Sequence, residues 1–76
     1  MSLKRAIYTM PEFFESALTR RGLLDAYRAR PDYQQNDYIG WITRAKREET
    51  REKRLNQMLA ELAGGDKYMK MDYHAA

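Results

Sequence analysis

The sequence has no cysteine, one histidine, one tryptophan and two prolines among its 76 residues. Without cysteine there is no disulfide framework and no thiolate metal site. A chain this short and free of disulfides is compatible with a reducing compartment, and we expect it in the cytoplasm. The single histidine, His74, lies in the tail, and serine occurs only as Ser2 and Ser16. No nucleophile and base can be assembled from these groups. Glu12 and Glu15 share one helix flank, but paired surface carboxylates are ordinary. We therefore assign no catalytic, cofactor-binding or metal-ligating residue and expect neither an enzyme nor a bound cofactor. Long apolar runs are also missing. None approaches the roughly 20 residues of a membrane span, so we expect no membrane insertion. Lys4 and Arg5 precede only the short, mixed stretch Ala6-Ile7-Tyr8-Thr9, which is no secretory leader. No internal repeat or low-complexity tract is present.

What the chain does have is helical patterning. Its organising stretch is residues 37–62, DYIGWITRAKREETREKRLNQMLAEL. Tyr38, Trp41, Ile42 and Ala45 follow the i, i+3, i+4, i+7 spacing and share one helix face. Leu55, Met58, Leu59 and Leu62 repeat it. Between them, residues 46–54 are wholly polar, KREETREKR, and the apolar line meets Glu48 and Glu52. A single helix over 32–63 would be a rod roughly 48 Å long with both apolar ends uncovered. A break near residues 46–48 lets the two halves fold back on each other, and this is the arrangement we expect, although no Gly or Pro marks the bend.

The remaining helices follow from their start and stop signals. Thr9, Pro11 and Glu12 read as a capped helix start. Phe13, Phe14, Ala17 and Leu18 form its apolar stripe, and Gly22 takes the left-handed stop. Leu23, Leu24 and Tyr27 face inward on a short second helix ended by Arg30-Pro31. Asp32, with Gln35 three residues on, caps a third. Gly64 and Gly65 close the fourth. The fold expected is all-α: a small bundle of about four helices over 10–21, 23–29, 32–45 and 48–63. An extended N-terminal segment, with a brief strand at Ala6, Ile7 and Tyr8, precedes it. Residues 1–65 form one helical domain, and residues 66–76 an irregular C-terminal tail. The tail carries Tyr68, Met69, Met71 and Tyr73. Folding back on the core, pairing with the N-terminal segment and binding a partner all remain open for it. The core expected is Phe14, Leu18, Tyr27, Tyr38, Trp41, Ile42, Leu55, Leu59 and Leu62. The same spacing makes Trp41, Tyr38 and Tyr27 core rather than a binding platform.

Tyr38, Trp41-Ile42 and Ala45-Lys46, followed by Glu49-Thr50-Arg51 and Arg54, resemble the C-terminal helical domain of the YdeI/OmpD-associated family. Met10-Pro11, Ala17-Leu18 and Pro31 fall where that domain has its Met/Leu-Pro, Ala-Leu and Pro-Ser positions. The resemblance covers about residues 10–65. Glu48 stands where members often have Pro, and Asp32 stands in place of Ser. The resemblance implies an association with bacteriocin protection and an outer-membrane porin in the bacterial envelope stress response, without a mechanism. Members often carry this domain behind another that is not in this sequence, so any activity of that other part is not implied here.

Two functional expectations stand side by side. The first is a non-enzymatic helical interaction module whose partner is a protein or a second copy of itself, suggested by a thin core and apolar tail residues. The second is nucleic-acid or polyanion binding. Net charge is +3, and Lys46, Arg47, Thr50, Arg51 and Arg54 gather on one side of a helix as a candidate anion or partner face. Against the second, Glu48, Glu49 and Glu52 intervene, and the pairs Glu49–Lys53 and Glu48–Arg51 suit an ion-paired, solvated face. Arg51 and Arg54 have a third reading, reaching across the junction to Asp37 or to open carbonyls at the end of the third helix, with Arg51 singled out for it. Gln34, Gln35 and Asn36 on the third helix would be the base-reading set of a helix-turn-helix, but Asp32 and Asp37 lie where phosphate would.

Overall fold

The computed structural model of the protein describes residues 9–72. The N-terminal segment, with its proposed strand at Ala6, Ile7 and Tyr8, lies outside the described residues, as do Tyr73 and His74. The described chain runs α1 (Glu12–Arg20), α2 (Leu24–Arg28), α3 (Asp32–Thr43), α4 (Glu48–Gly64), then a hairpin of β1 (Lys67–Tyr68) and β2 (Met71–Asp72). The fold is all-α with a small hairpin appended.

The helix ends obey local chemistry, though not always through the residues expected. At the end of α1, Gly22 has φ +67°. The Leu23 N–H bonds the Leu18 carbonyl at 2.8 Å and the Gly22 N–H bonds that of Thr19 at 3.1 Å. That pair of bonds is a Schellman stop, which suits Gly because it carries no Cβ. The helix starts differ from expectation. Pro11 and Pro31 are themselves the N-caps of α1 and α3, with extended backbone and no side-chain cap bond. The proposed boxes Thr9/Glu12 and Asp32/Gln35 therefore do not form. The Pro11 and Pro31 carbonyls receive the first helical N–H groups, and Asp32 instead places its charge in the first turn of α3, where the helix dipole favours it.

The rod is broken as expected. The longest dimension of the molecule is 37 Å, short of an unbent 32–63 helix. α3 ends at Thr43, whose hydroxyl donates back to the Ile39 carbonyl at 2.7 Å. Arg47 is extended at φ −104°, ψ 145° before α4 restarts. Glu48 and Glu49 lie in the first turn of α4, again matching the dipole.

The core forms where the four helices meet. Phe14, Leu18, Tyr27, Tyr38, Ile42, Leu59 and Leu62 are buried, joined by Ile39, Met58 and Tyr68. Phe14 meets the Tyr27 ring edge-on at 5.3 Å between centroids, and the Tyr27 hydroxyl donates to the Gln35 carbonyl at 2.8 Å. Two expected core members differ. Trp41 and Leu55 are only half-buried, packed against the cluster from outside. Trp41 sits near the end of α3, where the helix faces a surface groove. Leu55 faces a second groove between α1 and α4.

Residues 66–72, expected as irregular, turn back as a hairpin with Lys67 opposite Asp72 and Tyr68 opposite Met71. Its two central residues, Met69 and Lys70, have φ +51° and +67°. Positive φ at both positions is what a two-residue hairpin turn of the I′ kind requires, and normally Asn-Gly supplies it.

Candidate partner-docking site

Two arginines of the basic face read from the sequence are engaged in contacts within the chain. Arg54 crosses the break between α3 and α4 and donates to the Trp41 carbonyl at 2.6 Å. Its guanidinium also lies over the Trp41 ring, 5.4 Å from the centroid. That carbonyl is among the last of α3, with no helical N–H ahead of it to accept. Of the two side chains read as reaching across the junction, Arg51 and Arg54, it is Arg54 that does so. Arg51 instead pairs with Glu48 at 3.0 Å and covers the Phe13 ring at 4.7 Å. Arg47 stands 3.8 Å from Glu49, both side chains 80% exposed, a pair worth little. Lys46 is exposed in the bend and Thr50 is half-buried. The base-reading set is dispersed. Gln34 is buried and accepts from Arg30 Nη1 at 3.1 Å. Gln35 donates to the Arg28 and Arg30 carbonyls at 3.2 and 2.8 Å, closing the end of α2.

The polar centre of the molecule lies elsewhere, at Glu61. Its carboxylate is buried and accepts four hydrogen bonds. Tyr38 Oη donates at 2.5 Å, Gln57 Nε2 at 3.2 Å, and the Met69 and Lys70 N–H groups at 2.9 and 2.7 Å. Beside it, Arg30 Nη2 donates to the Glu61 main-chain carbonyl at 3.2 Å. The two turn amides point at the carboxylate because Met69 and Lys70 both take positive φ. The hairpin conformation and the Glu61 bonds are therefore one feature. Nothing in the tail's composition announced it. The visible signal was on α4, where Glu61 falls three residues after Met58 and beside Leu62, on the flank of the apolar stripe.

Burial pushes the Glu61 carboxyl up, but the bonds from Tyr38, Lys70, Met69 and Gln57 outweigh it and hold the group below its ordinary value of 4.5. Burial, then the bond to Glu61, pushes the Tyr38 phenol well above its ordinary value of 10.0; burial does the same to Tyr27. A carboxyl lowered in the folded state contributes stability that is whole above its unfolded value and is lost as pH falls through the folded one. A phenol raised in the folded state contributes stability that is whole below its unfolded value and is lost as pH rises toward the folded one. Stability should therefore be flat through neutrality, fall below about pH 4.5 and fall again above about pH 10. Urea midpoints measured across pH 3–11 check this. In Glu61→Gln the acid limb should be shallower.

The hairpin forms one wall of an open groove whose other wall is α3. Tyr33, Asp37 and Trp41 line it from α3 at spacings of four, with Asn36 alongside and Arg44 at the C-cap of that helix, and Tyr68, Met69 and Met71 line it from the hairpin. Its volume is about 570 Å³. Tyr68 fixes the two walls together. Its hydroxyl donates to Asp37 Oδ2 at 2.7 Å, and its ring meets those of Tyr38 and Tyr33 edge-on at 5.4 and 6.0 Å. Tyr33 is 51% exposed and Met71 58%, the large apolar side chains most open to water among the described residues. Trp41 and Met69 lie half-buried between them. Tyrosine and tryptophan are the side chains that most often anchor interfaces, and thioethers adapt to irregular partners. The groove between α1 and α4 is smaller, about 450 Å³, and charged residues outnumber apolar ones along it.

No group of His, Cys, Asp or Glu that could hold a metal ion occurs among the described residues. No helix among them is long and apolar enough to cross a membrane. A family model described as OmdA: bacteriocin-protection, YdeI or OmpD-associated, matches residues 8–65. Neither a curated protein nor a solved structure matches the chain.

Proposed function

The chain belongs to the bacteriocin-protection, YdeI or OmpD-associated family, and on that premise we propose that it is a non-enzymatic helical module that docks a protein partner. The observation that carries this is the pair Tyr33 and Met71, standing exposed on opposite walls of one groove with Trp41 between them. Water-exposed aromatic and thioether side chains around a concavity gain free energy when a partner covers them. The word "associated" in the family's description supports a role exercised through contact with another protein, and "bacteriocin-protection" supports a bacterial setting. We assign the cytoplasm because the chain needs no disulfide. Polyanion binding through Lys46 and Arg47 is the weaker reading, since Arg51 and Arg54 of the same face are engaged internally.

A photo-crosslinking residue at position 33 or 71, installed in the full chain in bacterial cells, tests the reading. The control is position 53 on α4, where Lys53 is exposed and outside the groove. Positions 33 and 71 should give one shared adduct that position 53 does not. Equal adducts from all three, or none from 33 and 71, would overturn it. An adduct of twice the chain's mass would make the partner a second copy. Steeply salt-dependent binding of labelled DNA, without a protein adduct, would replace the reading with the polyanion one.

A further inference from the structure

We propose that residues 66–72 are a latch: a unit that swings on Gly65, is held shut by the Glu61 carboxylate, and opens while α1–α4 stay folded. The hinge is visible. α4 ends on Gly64, and Gly65 follows at φ +83° with nothing near its Cα that a side chain would strike. The latch cannot hold itself. Its strands are two residues each, and hairpins far longer than this are marginal in water. Its turn places Met69 and Lys70 in a backbone region that side-chain-bearing residues rarely adopt. The bonds from both amides to Glu61 offset that strain. When those bonds break, only the two-residue strand pairing and the exposed Lys67–Asp72 ion pair, worth little, hold the turn locally.

Beyond Glu61, the main tie to the helices is Tyr68, through its hydroxyl to Asp37 and its edge contacts with Tyr38 and Tyr33. Tyr68 is its one buried side chain and Met69 is half-buried, while Lys67, Lys70, Met71 and Asp72 are exposed. The rest of the buried cluster, Phe14, Leu18, Tyr27, Tyr38, Ile39, Ile42, Met58, Leu59 and Leu62, belongs to the helices. Segments with few buried apolar contacts open at lower free energy than the core around them. The groove follows from the latch, because Tyr68, Met69 and Met71 are its second wall. Closed, the latch builds the groove; open, it dismantles it and bares Glu61 and the Tyr38 edge. The consequence for docking rests on the groove being the partner site. The motion itself does not.

Native-state amide exchange by NMR, with rising urea, tests the motion on the free full-length chain. The Met69 and Lys70 amides should be at least about tenfold less protected than those of Ile42 and Leu59, with almost no urea dependence, as a local opening requires. Glu61→Gln should accelerate the first pair by a further ~10-fold or more, and the second pair only by the factor that its fall in global stability, measured by urea unfolding, accounts for. One common protection and urea slope for all four amides would overturn the latch, and this reading needs no variant. Unchanged exchange of the Met69 and Lys70 amides in Glu61→Gln would overturn it as well. The docking consequence is read separately, by crosslinking from position 33 in the Glu61→Gln chain. Loss of the adduct supports gating by the latch. An unchanged adduct overturns gating and leaves the motion standing. No adduct even with Glu61 present overturns the docking reading instead.

Discussion

Tyr38→Ala should leave the protein close to unfolded at physiological temperature. Tyr38 is fully buried, and truncating a buried aromatic to alanine costs about 3–5 kcal/mol through lost transfer free energy and the cavity left behind. A chain of 76 residues has about 4–11 kcal/mol of total stability at 0.05–0.15 kcal/mol per residue. The substitution also strips the edge contact from Tyr68 and one donor from Glu61. Tyr38→Phe separates the two contributions. It keeps the ring and removes only the hydroxyl, a hydrogen bond to a charged acceptor worth about 1.5–3 kcal/mol. Glu61 retains three donors in that variant, so the lower part of the range is expected. Urea unfolding followed by far-ultraviolet circular dichroism measures both. A Tyr38→Phe midpoint equal to that of the unaltered chain would show that the hydroxyl adds nothing.

Tyr38 also marks where the sequence is legible. Its place in the core follows from helical periodicity with Ile42, as do Leu59 and Leu62 on α4 and Phe14 and Leu18 on α1. Burying an amphipathic face leaves a regular trace in the chain, and the helical fold can be read from it. The features that set the groove leave no such trace. Met69-Lys70 is no recognised turn pair; its backbone is held by a carboxylate eight and nine residues earlier. Arg30 reads as the end of a helix before Pro31, yet its guanidinium is buried against Gln34 and the Glu61 carbonyl. Trp41 has the spacing of a core residue but stands at the margin, because α3 ends two residues later and the neighbouring surface is open. Periodicity reports which side of a helix faces inward. It does not report where the inward side runs out.

At the bend between α3 and α4 the sequence offers two side chains for the brace, Arg51 and Arg54, and the structure gives it to Arg54, which yields the second large effect. Arg54→Ala should lower stability by about 2 kcal/mol, because a charge-assisted bond to the open Trp41 carbonyl and the stacking over the indole are lost together. For a domain of this size that is a fall of roughly 8–16 °C in Tm. Arg51→Ala should cost well under half as much. Its partner Glu48 is exposed on the first turn of α4, and such pairs contribute about 0–1 kcal/mol. Arg54→Lys should recover only part of the loss, since an ammonium can reach one carbonyl but has no flat face for the indole. Thermal melts by circular dichroism rank the three variants. Trp41 fluorescence reports the local change, because the only indole of the chain is the surface that Arg54 covers. If Arg51→Ala proves as damaging as Arg54→Ala, the brace is not where the geometry puts it. The bend would then owe its shape to the contact of Arg51 with Glu48 and the Phe13 ring.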